Sequence, residues 1–156
     1  MTPALDNISR TILVRLVEDG RISYQALADA VGLSRPAAME RVKRLEEQGF
    51  IKGYTARLDR ERLGIPVTAF VAVRFPVPFA EMETEIAALE ANPNVLECHA
   101  VAGDDCYILK VAAPSLGQLE ELLKTIKRTG SQTSTRTTIV LSTVFEKSGV
   151  LPPEAS

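Results

Sequence analysis

Apolar positions recur at helical spacing early in the chain and alternate with polar ones later, and the change of period divides it in two. Between Asp6 and Asp19, Ile8, Ile12 and Leu16 fall at i, i+4 and i+8, with Leu5 and Val17 beside them. This spacing predicts a helix capped by Asp6 and ended by Asp19-Gly20. A second helix is expected from Ser23, carrying Leu27, Ala28 and Val31 and stopping at Gly32, a residue free to adopt positive φ and reverse the chain. Leu33 fills the corner, and Ser34 caps a third helix that runs to Gln48. Pro36 lies in its first turn, where a missing N–H costs no intrahelical bond. The core face of this third helix reads Ala38, Val42 and Leu45, which leaves Arg35, Met39, Glu40, Lys43 and Arg44 facing outward.

Two helices joined by a short Gly-containing turn, the second exposing basic and polar side chains, match helix-turn-helix geometry. In that geometry the second helix enters the major groove, where Arg and Lys reach guanine edges and phosphates. Three small packed helices with solvated charges would show the same spacing, so spacing by itself does not choose.

Phe50 to Leu58 reads as an extended linker containing Gly53, and Asp59 to Leu63 as a capped turn ending at Gly64. Ile65-Pro66 marks a boundary, since a residue before proline favours extended geometry. Strands are then expected at Thr68–Phe75, Val95–Ala102, Asp105–Ala113 and Ser134–Phe145. Helices are expected at Phe79–Ala91, through Phe79, Met82, Ile86 and Leu89, and at Ser115–Arg128, through Leu116, Leu119, Leu123 and Ile126. The order is βαββαβ, a ferredoxin-like unit with both helices on one sheet face. The fold class is therefore α+β. Residues 1–50 are expected to form a helix-turn-helix (winged-helix-like) domain, 51–66 a linker strand and turn, 67–147 the ferredoxin-like domain, and 148–156 a loose tail. Two helices cannot bury Val71, Val73, Val101, Ile108, Ile139 and Leu141 together, so an apolar sheet face is left over and a homodimer is expected.

Charge sharpens the division. Residues 1–64 hold 11 Lys/Arg against 9 Asp/Glu, while residues 65–156 hold 7 against 11. The first half is the one suited to a polyanion. No apolar run approaches the roughly 18 residues of a membrane span, and Met1–Ala4 does not begin a secretory leader, so a cytoplasmic protein with no membrane partner is expected. Cys98 and Cys106 make no disulfide framework.

Specific runs then carry a resemblance. Leu5-Asp6, Arg10, Ile12-Leu13, Leu16, Asp19-Gly20-Arg21, Leu27-Ala28 and Val31-Gly32-Leu33-Ser34 resemble the Lrp/AsnC (leucine-responsive, feast/famine) family of transcriptional regulators. The ungapped run from Arg41 to Ala56 resembles it more closely still. The resemblance covers nearly the whole chain. It implies double-stranded DNA as a partner, a small effector, most simply an amino acid, and a homodimer assembling to a tetramer or octamer. Ser34, Arg35, Pro36, Met39, Glu40, Lys43 and Arg44 become the groove-facing candidates, while Arg41 and Lys52 touch phosphate or stabilise the unit itself.

In the later half, Gly103 can turn backbone N–H groups toward a carboxylate, and Asp104 and Asp105 can hold an ammonium. An ordinary acidic hairpin turn would read the same way, and the resemblance is what favours an effector site. It supplies a second wall at Ser134, Thr135, Arg136 and Thr137, although Arg136 suits an intersubunit ion pair equally well. One departure stands out: Cys106 occupies the place of the second aspartate in the family's Gly-Asp-aromatic-Asp turn. Asp105 replaces it only if the loop shifts, because neighbouring strand residues face opposite sides. The effector's identity therefore stays open.

No catalytic set, cofactor or metal is expected. His99 shares an alternation face with Glu97, but a single His on a sheet is more often a packing or interface residue. Cys98 and His99 point to opposite faces, and hairpin geometry pairs Cys98 nearer Leu109 than Cys106. The alternative to an effector-responsive regulator is an architectural DNA-binding protein of the same family that takes no ligand.

Overall fold

The computed structural model describes residues 5–74, 83–128, 134–147 and 149–152. It divides into two units, Met1–Arg57 with Phe145–Ser156, and Leu58–Val144.

The first unit holds α1 (Asn7–Glu18), α2 (Tyr24–Val31) and α3 (Arg35–Glu47). Each begins at the predicted cap. Asp6, Ser23 and Ser34 accept from the backbone N–H of Ser9, Ala26 and Ala37, satisfying donors that a helix start leaves open. Gly32 ends α2 in the left-handed region at φ 68°, and Leu33 N–H returns to the Ala28 carbonyl. Ile12, Leu27, Ala28, Ala38, Val42 and Leu45 form the buried core, with Phe50 and Ile51 packed against it. The helical unit thus takes in the start of the linker. Tyr54 donates to Glu46 Oε1 at 2.9 Å, and Arg57 reaches the Glu146 carbonyl at 3.1 Å. A Cβ added at Gly149 would lie 3.3 Å from both methyls of Val17. The described residues of this unit contain no strand, and residues 51–58 find no ladder partner among the described residues.

The second unit runs β1 (Val67–Arg74), α4 (Glu83–Glu90), β2 (Val95–Ala100), β3 (Tyr107–Ala113), α5 (Leu116–Arg128) and β4 (Ser134–Ile139). The sheet order is β2-β3-β1-β4 and every pairing is antiparallel, the ferredoxin-like arrangement. Ala69, Val71, Val73, Tyr107, Leu109, Val111 and Ala113 meet Leu89 of α4 and Leu119, Leu122 and Ile126 of α5 in one core.

The six apolar positions are, as expected, not all buried: Val71 and Val73 lie fully buried on the covered face, while Ile108 shares the open face with Phe70 and Ala72 between charged residues. Two expectations need correcting. On α5, Leu122 is buried while Leu116 is 60% exposed, because the period that holds Leu119 and Ile126 inward passes through position 122. The last strand stops at Ile139 rather than Phe145. Its partner β1 has run out: Val140 N–H bonds to Thr68, and two places further the register meets Pro66, which has no N–H to offer. Leu141, Val144 and Phe145 are consequently exposed. The predicted start of α4, with Phe79 and Met82, lies outside the described residues.

Candidate functional site

Helix α3 positions the first candidate surface. Burial of Ala38, Val42 and Leu45 turns two adjacent rows outward, Arg35-Met39-Lys43 and Pro36-Glu40-Arg44, and all six residues are exposed. Ser34 caps the helix at the foot of these rows. Lys43 is 3.7 Å from Glu47, an exposed i,i+4 pair that water and salt weaken, so the ammonium remains available to a phosphate. Lys52 is exposed beyond the end of the helix.

Arg41 is different. It is half-buried and forms an ion pair with Asp6, with a second hydrogen bond to Ser9 Oγ at 3.3 Å. Asp6 therefore caps α1 and anchors α3 at once. The Ser9 backbone N–H and the Arg41 guanidinium hold its carboxyl down at about 2 against an ordinary 3.8. Of the two roles open to Arg41, the geometry supplies the stabilising one. On the opposite side Tyr54 is pushed up to about 12 by burial and by its bond to Glu46.

The second candidate surface is a turn at the end of the sheet. Gly103 adopts φ 144°, and the turn it makes brings Asp105 to Arg136 at 2.7 Å. The two predicted walls, 103–106 and 134–137, are therefore adjacent within one chain. Arg136 thus meets a carboxylate of its own chain while its side chain stays 75% exposed. A residue with no signal in the sequence joins them: Arg74, at the end of β1 opposite Ser134, donates its Nε–H to the Asp104 carbonyl at 2.5 Å. Only the strand register reveals it. Thr135 and Thr137 pair with Val73 and Val71 on the helix side, and Ser134 and Arg136 face the other way. Cys106 is not presented to the turn. Its side chain packs against the helix-side core, and its backbone N–H bonds to Val73 at 2.9 Å.

On the open face Glu97 accepts from Lys110 Nζ and bonds to His99 Nε2, both at 3.1 Å. His99 and Glu97 thus meet on the face that their alternation shares. The Glu97 carboxyl lies below the ordinary range, chiefly through its bond to His99, which with help from Lys110 outweighs the opposing effect of burial. Cys98 lies opposite Leu109, as the hairpin required. Among the described residues no group of three His, Cys, Asp or Glu could hold a metal, and no helix is long and apolar enough to cross a membrane.

A capped trihelical unit with an outward basic second arm, joined to a ferredoxin-like module with a polar turn, defines a two-domain DNA-binding regulator. A winged helix-turn-helix DNA-binding family matches residues 5–52, and the Lrp/AsnC ligand binding domain matches residues 68–150. The chain belongs to the Lrp/AsnC family of transcriptional regulators. It is 39% identical over 152 residues to the HTH-type transcriptional regulator LrpA of Mycobacterium tuberculosis, covering 97% of this chain and 100% of that one. To the leucine-responsive regulatory protein of Escherichia coli K12 it is 41% identical over 145 residues, covering 90% and 87%. Among solved structures, the feast or famine regulatory protein from M. tuberculosis complexed with L-methionine superimposes with a TM-score of 0.88, at 38% identity, over 96% of this chain and 100% of that one.

Proposed function

We infer that paired copies of α3 enter successive major grooves, and that the Gly103 turn receives a zwitterionic amino acid. Arg35, Met39, Glu40, Lys43 and Arg44 meet base edges or phosphates, with Ser34 and Pro36 at the entering end and Lys52 on the flanking backbone. Arg41 acts through Asp6 by fixing the angle of α3. The observation that carries this reading is the outward pair of rows on α3, set by three buried residues on its opposite side. In the sensing unit the α-carboxylate would lie toward Gly103, Arg74 and Arg136. The ammonium would share Asp105 with Arg136, and Asp104 and Ser134 would complete the walls, while Thr135 and Thr137, on the opposite face of β4, would support the site from the helix side. Cys106 shapes the turn from behind. Methionine, bound by a similar protein, is the first ligand to try.

Pairing of open sheet faces through Phe70 and Ile108, and of unladdered linkers, would give a homodimer able to build tetramers or octamers. The protein acts in the cytoplasm, and it does so without catalysis. The names carried by its relatives support a regulatory role.

The test is fluorescence anisotropy on DNA from the protein's own upstream region, across a salt series, with each of the twenty amino acids added in turn. Expected are an affinity that falls steeply with salt, through counterion release, and a shift with at least one amino acid. Salt-sensitive binding without any shift would favour the architectural alternative. No salt-sensitive binding to any duplex would overturn the regulator reading.

A further inference from the structure

The sensing unit contains a second recess, away from the Gly103 turn. It lies between α4 and the edge strand β2, with a volume of about 760 Å³, inside the range of small-molecule sites. Its walls are apolar: Ile86 and Ala87 from α4, Val95, Leu96 and Cys98 from β2, and Tyr107 from β3. Its charged lining is entirely acidic, from Glu83, Glu90 and Glu97, with no Lys, Arg or His among the described lining residues.

These charges are not equivalent. Glu97 is committed to Lys110 and His99, and so adds little net field. Glu83 and Glu90 stand at the two ends of α4, a helix whose sequence Glu-Thr-Glu-Ile-Ala-Ala-Leu-Glu contains no cation. Glu90 is its last residue, where the helix dipole already presents its negative end. A carboxylate there is unfavourable unless a positive charge approaches it. The recess is thus the wrong sign for an amino acid, whose carboxylate would find only other carboxylates.

We propose that the α4–β2 recess binds an apolar cation, a primary amine or guanidine carried on an aromatic or branched body, as a second ligand distinct from the zwitterionic effector. The body lies along Ile86, Leu96 and Tyr107, and the cation meets Glu90 at the C-terminal end of α4, with Glu83 adding a longer-range negative field from the other end. Decarboxylation of an apolar amino acid, with release of carbon dioxide, yields the primary amines of this class, so the protein would read an amine beside the amino acid it derives from.

Phenethylamine is the probe, with 2-phenylethanol and phenylalanine as its uncharged and zwitterionic counterparts, titrated calorimetrically into the full-length protein. Saturable amine binding is expected, about tenfold tighter than the alcohol, with the difference lost in the Glu83→Gln/Glu90→Gln variant. Ala87→Phe, an exposed helix position that lines the recess, should abolish amine binding while leaving salt-dependent DNA binding unchanged. Both variants alter exposed side chains, so their unfolding transitions provide a check on folding. Absence of saturable amine binding, an alcohol that binds as tightly, or an affinity untouched by either variant would overturn the proposal.

Discussion

Asp6 shows how much a single side chain can hold. One carboxylate oxygen caps α1 through Ser9, and the other meets Arg41 of α3. Because folding lowers its pKa from 3.8 to about 2, the unfolded chain takes up this proton first as pH falls. The stability it contributes is therefore complete above the ordinary value and disappears between about pH 4 and pH 2. Asp6→Asn keeps a capping oxygen but removes the charge. Its acid-unfolding profile should be flatter than wild type across that window, with circular dichroism as the readout. Asp6→Ala loses the cap too and should cost about 1 kcal/mol more in urea denaturation. The cap was legible in the sequence, since Asp before an apolar helical run has a local mechanism. The partnership with Arg41 was not, because 35 residues separate the pair and nothing local connects them. The same reason hid Arg74, which meets Asp104 only once β1 and the turn share a sheet. Nor could alternation show that the Cys106 side chain turns onto the core.

At the scale of elements, the turn between α2 and α3 is set by Gly32, whose φ of 68° few side chains tolerate. Space is not the issue, as a Cβ there would meet nothing within 4 Å. Gly32→Ala should therefore cost about 1–2 kcal/mol of backbone strain, seen as a lower urea midpoint with an unchanged slope. If the helical unit relieves that strain by opening the corner, DNA affinity should fall by more than stability alone explains. A variant with full stability and full affinity would show that the corner is not where α3 is positioned. All three helical starts and both strand-to-helix alternations could be read ahead, because caps and periods are local. The end of β4 could not. Residues 140–145 are apolar enough for a strand, and only the register against Pro66 shows that the ladder stops.

For the whole molecule, the two surfaces matter only if one reports to the other. Lys43 and Arg44 supply two phosphate or base contacts from each α3 in the proposed complex. Replacing both with alanine should reduce the slope of log affinity against log salt by about 1.8 per subunit at full neutralisation. An unchanged slope would remove them from the interface. Arg136→Ala addresses the other surface. It frees Asp105, which loses its 2.7 Å partner, and it withdraws a guanidinium from the proposed carboxylate pocket. Amino-acid binding should weaken while salt-dependent DNA binding persists in the absence of ligand. Coupling then has a strict consequence: whatever factor the amino acid applies to DNA affinity, DNA must apply to amino-acid affinity, since both are legs of one cycle. Measuring the amino acid's affinity with and without saturating duplex closes that cycle. In the wild type the two factors should agree, and in Arg136→Ala both should move toward one together. A duplex that leaves ligand affinity unchanged, in a protein whose DNA binding the ligand alters, would place the effector's action outside a two-site equilibrium, for instance in a ligand-driven change of assembly size that the DNA does not share.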